Sequence, residues 1–403
     1  MKQQYAGAVC ACLTLLLSPS AWAAFGSENL QLRAGAGLRY DSNVFRAPSG
    51  VEVRAPDGST GRSDSITTLN AGATVILPVS RQQFLFSADL TQNRYSKFSN
   101  LDFDGEDLRG IWRWELGPWL TGDLGTSRSK YLANFATTLN NNRNVRTSDL
   151  TFFNLNYPFH ANWRLTFGAT EGTQKNSDPG NRLSDNDTST RSYGLQYVTG
   201  SGNYVGVQGS TLETRFKNLF TVRGSPFNNS YDQNSVSAVI GYSPSAVSRF
   251  QGSLGRTRRD PQQPGQPETS GTTGSLLFNW RPTGKTGITV DYSRDFGPAV
   301  DVITASSTAR TLTIAPTWAV TNRITLLGTL RRQERDYLDP TGLVPGGSNR
   351  RDRINAYGLV AVYTPPIEHV VVNFSAQREE RRSNISGADY LVNVIGATVQ
   401  YSF

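Results

Sequence analysis

The sequence predicts an all-β fold, a closed transmembrane antiparallel β-barrel of about 18 strands. Three observations predict it: an apolar leader, apolar–polar alternation in segment after segment, and a strict rhythm of short and long connections.

The leader comes first. "MKQQ" carries one Lys, "YAGAVCACLTLLL" is a short apolar run, and "SPSAWAAF" ends in small residues around Ala21 and Ala23. That order is that of a secretory signal peptide, with cleavage expected after Ala23. Residues 1–23 are therefore read as the signal and residues 24–403 as one barrel domain. Both cysteines, Cys10 and Cys12, leave with the leader, so the mature chain has no disulfide and no thiolate chemistry. The formal charge of +8 falls to +7, because Lys2 is the one charged residue lost. No later stretch is long and apolar enough to cross a bilayer as a helix.

The strands read as period two. "LQLRAGAGLRY" places Leu30, Leu32, Ala34, Ala36, Leu38 and Tyr40 on one side, with Gln31, Arg33, Gly35, Gly37 and Arg39 on the other. "FLFSADL" and "LLFNWRP" divide in the same way, and the chain closes on "LVNVIGATVQYSF", still alternating at Phe403. Segments with the weakest parity are Leu120–Tyr131 and Val205–Phe216.

The connections set the architecture. Short ones such as "LGPW", "TGSGN", "RPTGK" and "YTPPIE" carry the Pro and Gly of tight turns. Longer ones, rich in Asn, Asp, Ser, Gly and Arg, fall near 45–64, 133–144, 172–188, 217–230, 259–270, 297–306 and 338–350. Nine long and eight short connections join 18 strands. An even count, short periplasmic turns and long, polar, mobile outer loops describe a barrel of the Gram-negative outer membrane. Closure is required because lipid offers no partner for an open sheet edge. The last segment is then the closing strand against the first, and Tyr401 and Phe403 form a terminal aromatic signal for the barrel assembly machinery.

Enzymatic signals are weak, and no catalytic residue is assigned. The two histidines, His160 and His369, fall at separate short turns. "GKT" at 284–286 lacks the glycine that a phosphate loop needs, since Asn279 occupies its place. "GAGLR" at 35–39 lies inside a strand. "SDNDTS" at 184–189 reads as a solvated outer loop more readily than as a cation site. No cofactor, metal or nucleic-acid partner is expected.

The inward face carries more information. Charge at the bilayer midplane costs ~2–4 kcal/mol, so the richer apolar parity of each strand faces lipid. Arg33, Arg39, Arg109, Arg113, Arg164, Arg281 and Arg331 then fall on the inward parity, with Asp41, Asp89, Glu115 and Asp123. Guanidinium forks in a lumen favour anions. The same charges paired with one another would instead stiffen the wall.

"LRYDSNVFR" at 38–46, "RSDSITTLNAGATVILPVSRQQF" at 62–84 and "FNWRPTGKTGITVDYSRDF" at 278–296 together resemble the EpsL-type outer-membrane proteins encoded with exopolysaccharide biosynthesis, within a wider group of β-barrel porins. The resemblance implies an outer-membrane barrel, embedded in lipid and partnered with polysaccharide export components. It leaves two functions open: a channel for a nascent, anionic polysaccharide, or a non-conducting docking barrel of a secretion complex.

Overall fold

The computed structural model describes residues 29–138, 140–222, 225–297, 306–338 and 350–403. The expected signal peptide and the connections near 297–306 and 338–350 lie largely outside these residues.

Eighteen antiparallel strands form one closed sheet. The first quarter holds β1 (Leu30–Asp41), β2 (Asp64–Val79), β3 (Gln82–Tyr95), β4 (Phe103–Leu116) and β5 (Leu120–Leu132). Next come β6 (Val145–His160), β7 (Trp163–Asn176), β8 (Asn186–Val198) and β9 (Tyr204–Phe216). Then follow β10 (Tyr231–Ser245), β11 (Ser248–Pro261), β12 (Thr269–Trp280) and β13 (Thr286–Gly297). The last five are β14 (Ser306–Ala319), β15 (Ile324–Leu338), β16 (Arg351–Tyr363), β17 (Val370–Ser383) and β18 (Tyr390–Ser402). Both segments of weak parity, at β5 and β9, are strands.

Every strand pairs with its sequence neighbours, and β18 pairs with β1 from Arg33–Ser402 to Asp41–Val394. Closure leaves no edge for another chain to extend. The terminal residue is tied in as well: the Phe403 amide donates to the Leu32 carbonyl at 2.7 Å.

Register fixes which residues share a face. Arg33 faces Gly72, Gly72 faces Asp89 and Asp89 faces Asp107, so these four belong to one side of the wall. The other parity carries the exposed apolar side chains, among them Leu38, Leu69, Phe86, Leu254 and Val399. Aromatic residues gather on that outer face near the short turns: Trp112, Tyr157, Trp163, Tyr242, Trp280 and Trp318. Such a girdle marks a membrane interface. Several strands run further than composition indicates. The connection expected at 172–188 spans only 177–185, because β7 and β8 keep pairing out to Gln174 and Asn186. Polar residues there extend the ladder beyond the lipid.

Candidate functional site: the lumen and its loop-side mouth

Small hydrophilic residues cross the inward parity of β6 to β12. One cross-strand row runs Asn154, Gly168, Ser192, Ser210, Ser235, Thr257 and Gly271. Its hydroxyls bond one another, with Thr257 2.7 Å from Thr273 and 3.1 Å from Ser235. Ser253 and Ser275 lie 2.9 Å apart two levels nearer the turns. Short hydroxyl side chains leave room inside a closed wall and keep it wettable.

Six of the seven expected arginines lie on the inward parity by register, Arg281 follows the last residue of β12, and their surroundings divide them. Arg33 grips Asp89 with two donors and reaches Thr74 Oγ1 at 2.9 Å. That bridge crosses over Gly72 on the intervening strand, where a Cβ would lie 2.7 Å from Arg33 Nε and collide with Asp89. Arg331 donates to Glu379 at 2.8 Å, and the Tyr390 hydroxyl donates to the same carboxylate at 2.7 Å. Arg113 lies 3.7 Å from Asp123 and bonds Gln83 at 2.9 Å. Arg164 bonds Gln196 and lies 5.8 Å from the Tyr204 ring centre. Arg39, Arg109 and Arg281 make no ion pair among the described residues. Paired and unpaired arginines thus occur together, a division that parity alone does not reveal.

Register adds Arg146, Arg249, Arg259, Arg335 and Arg381 to the inward parity. Arg259 is 1% exposed, lies 4.0 Å from the Tyr231 ring centre, and donates to Gln233 at 2.8 Å and to the Phe296 carbonyl at 3.1 Å. The run "GRTRRD" obscured it, because arginines there occupy both parities.

The loop-side mouth is less polar than the composition of its long connections predicts. Val44, Phe45, Ala47, Val53 and Ala55 of the first long loop are buried together with Ile66, Tyr95, Phe98 and Leu101. Ile66 and Tyr95 lie on the inward parity of β2 and β3, so this loop folds in against the wall. The local sequence "DSNVFR" dictates its turn. Asp41 accepts from the Asn43 amide at 2.8 Å and from Arg46 at 2.9 Å, and Arg46 adopts the left-handed region at φ 54. Asn43 closes the turn, donating to the Ala47 carbonyl and accepting from the Ala47 amide, both at 2.9 Å. It also donates to the Leu391 carbonyl of β18 at 3.0 Å.

A third loop, between β5 and β6, joins these two. Phe135 packs on Phe45, with ring centres 4.9 Å apart. Arg381 on β17 donates to the Ala136 carbonyl at 3.3 Å. Part of the mouth, over β1 to β5, β17 and β18, is therefore roofed by inward-turned loops.

The remaining sequence candidates do not form a site. His160 ends β6, and His369 sits in the turn before β17 with its ring 6.0 Å from Tyr401. Asp185 serves the Asn176 backbone and side chain at 2.8 Å, and Asp187 pairs with Lys217 at 2.9 Å. Among the described residues no group of three His, Cys, Asp or Glu is arranged to hold a metal. Tyr401 and Phe403 are on the outer face, ring centres 4.8 Å apart, with Phe403 68% exposed.

A closed 18-stranded antiparallel barrel with a polar interior, an apolar outer band and a turn-side aromatic girdle defines the class: a transmembrane β-barrel of the outer-membrane kind. Residues 220–403 match the family model described as Putative beta-barrel porin 2, a span that contains the 278–296 stretch and not the 38–46 motif. Among solved structures, a BenF-like porin from Pseudomonas fluorescens Pf-5 is 10% identical, with 93% of this chain and 99% of that chain covered and a TM-score of 0.50. Pseudomonas aeruginosa OccK9 (OpdG) is 13% identical over 93% of this chain and 99% of that chain, again with a TM-score of 0.50. At these identities the likeness is one of fold. No curated protein matches the chain.

Proposed function

We propose that this barrel is a channel through which an anionic extracellular polysaccharide leaves the cell, across the Gram-negative outer membrane. The observation that carries the reading is the inward face itself. A row of hydroxyl and glycine residues on β6 to β12 shares the inward parity with Arg39 and Arg109, which make no ion pair among the described residues, and supports this reading. Hydroxyl rows suit a sugar chain by exchanging hydrogen bonds as it slides. Scattered guanidinium groups draw acidic substituents without holding them, as conduction requires. The resemblance of the 38–46, 62–84 and 278–296 stretches to EpsL-type proteins supplies the polysaccharide. Its export components, with the barrel assembly machinery, are the proposed partners. Residues 1–23 are proposed as the cleaved leader that brings the chain there.

One observation favours the docking alternative. The roof over the mouth presents an ordered, apolar-cored surface, which a secretion partner could grip. Single-channel recording in planar bilayers separates the two. A conduit shows ion flow that an acidic oligosaccharide blocks reversibly. A docking barrel shows neither conductance nor block.

A further inference from the structure

We infer that the outward face of β13 to β17, at its loop-side end, is a binding surface for the phosphate groups of outer-leaflet glycolipid. The inference rests on the barrel spanning the outer membrane with its long loops outward, and not on what passes through its lumen.

The residues lie on the lipid-facing parity, beyond the apolar band. One cross-strand row reads Arg294, Arg310, Glu334, Arg353 and Arg382. Four steps of ~4.8 Å make it roughly 19 Å wide. Arg294 faces Arg310 directly, and Arg353 faces Arg382. Like charges directly opposite on a sheet are destabilising. Two such pairs in one row are relieved if an anion sits between the guanidinium groups.

Among the described residues the acids nearby do not suffice. Asp336 is shared by Arg310 at 3.1 Å and Arg351 at 3.3 Å. Glu334 is shared by Arg332 at 2.7 Å and Arg353 at 3.5 Å. Glu380 takes Arg382 at 2.6 Å. Arg294 and Arg378 make no ion pair among the described residues. Arg351 and Arg382 keep 79% and 72% of their side-chain surface open.

The opposite side of the barrel is built differently. On β3 to β9 each outward arginine has an acid of its own: Arg94 with Asp104, Arg128 with Asp149, Arg191 with Glu171 and Arg215 with Asp232, at 2.6 to 3.5 Å. The excess of arginine over acid on β13 to β17 thus has no counterpart on β3 to β9. Height on the wall selects the ligand. A row just outside the apolar band meets the headgroup layer, where phosphate is the common anion, and guanidinium forks bind phosphate with two parallel bonds.

The test uses the full-length barrel in nanodiscs, with phosphorylated lipid A, the same lipid A after phosphatase treatment, and inorganic phosphate as probes. Native mass spectrometry counts the glycolipid retained. The expected result is retention of phosphorylated lipid A that drops about tenfold on phosphatase treatment and as much again in rising salt. It also drops about tenfold in Arg294→Gln/Arg310→Gln/Arg353→Gln/Arg382→Gln, and not in Arg128→Gln/Arg191→Gln. Equal retention of the dephosphorylated lipid, or wild-type retention by the quadruple variant, overturns the inference. So does equal competition by free phosphate, which would make this a site for the ion alone. Should the quadruple variant not fold, the wild-type phosphatase and salt comparisons decide by themselves.

Discussion

Phe45 of the first long loop meets Phe98 of the next one edge to face, ring centres 4.9 Å apart and planes inclined by 79°. Phe98 is 0% exposed and Phe45 3%. Two aromatic rings buried in each other at the mouth of a barrel hold its loops inward. Such a contact contributes ~0.5–1.5 kcal/mol beyond the burial itself.

Phe45→Ala should therefore release the roof without opening the barrel. A buried Phe→Ala change costs ~3–5 kcal/mol. Here the loss falls on the loop packing, while the 18-strand ladder is untouched. The expected outcome is faster proteolysis within residues 42–63, with the heat-modifiable folded band retained and conductance raised. A loop as protease-resistant as wild type would show that the Asn43 and Asp41 bonds hold the roof unaided.

Within the lumen, Arg109→Glu with Arg113→Glu should lower anion preference, most at low salt, since screening at physiological strength acts over ~8 Å. Arg33→Gln should behave differently. It strands Asp89 beneath a missing partner, so its effect falls on stability more than on selectivity. Reversal potentials under a salt gradient and unfolding midpoints in denaturant distinguish the two. An unchanged reversal potential for the double variant would move the docking reading ahead of the conduit.

Phe403→Asp should reduce assembly more than it reduces the stability of the finished barrel. The side chain packs on Tyr401 at the outer rim and is mostly exposed, so little is lost from the final sheet. The folded fraction in outer membranes, compared with the unfolding midpoint of the purified folded form, measures the two effects. Equal folded yields would leave Phe403 as an ordinary rim residue.

Asp178 makes one loop contact acid-sensitive. Burial raises its carboxyl, but bonds from Asn140, Asn181 and Asn142 outweigh burial and hold it below the usual range. A depressed carboxylate contributes stability above its unfolded value, ~3.9, and that contribution fades as pH falls through the lower folded value. The segments 140–144 and 177–185 should stay docked at neutral pH and separate only in strong acid. Amide exchange in these segments, followed from pH 6 downward, should show that loss in wild type and not in Asp178→Asn. Identical acid profiles would refute it.

Strand number and strand parity are legible from Leu30 to Phe403 without a structure. Lipid on one face and water on the other impose a period of two that is local to each segment. Turn chemistry then marks where each segment ends. Polar strand ends such as Thr173–Asn176 resemble loops in composition, because beyond the lipid both faces of a strand are wet and the alternation fades.

The partners of those side chains are another matter. Arg33 meets Asp89 only because β1 to β3 pair in one register and Gly72 lies between them. Phe45 reads as part of a polar loop until the fold brings Phe98 and Phe135 to it. Arg294 and Arg310 become opposing charges only when β13 and β14 align. Period, sign and turn propensity are properties of short segments, and the sequence alone determined them. Pairing, burial at the mouth and the one-sided excess of arginine depend on distances between residues far apart in the chain, so only the closed barrel decided them.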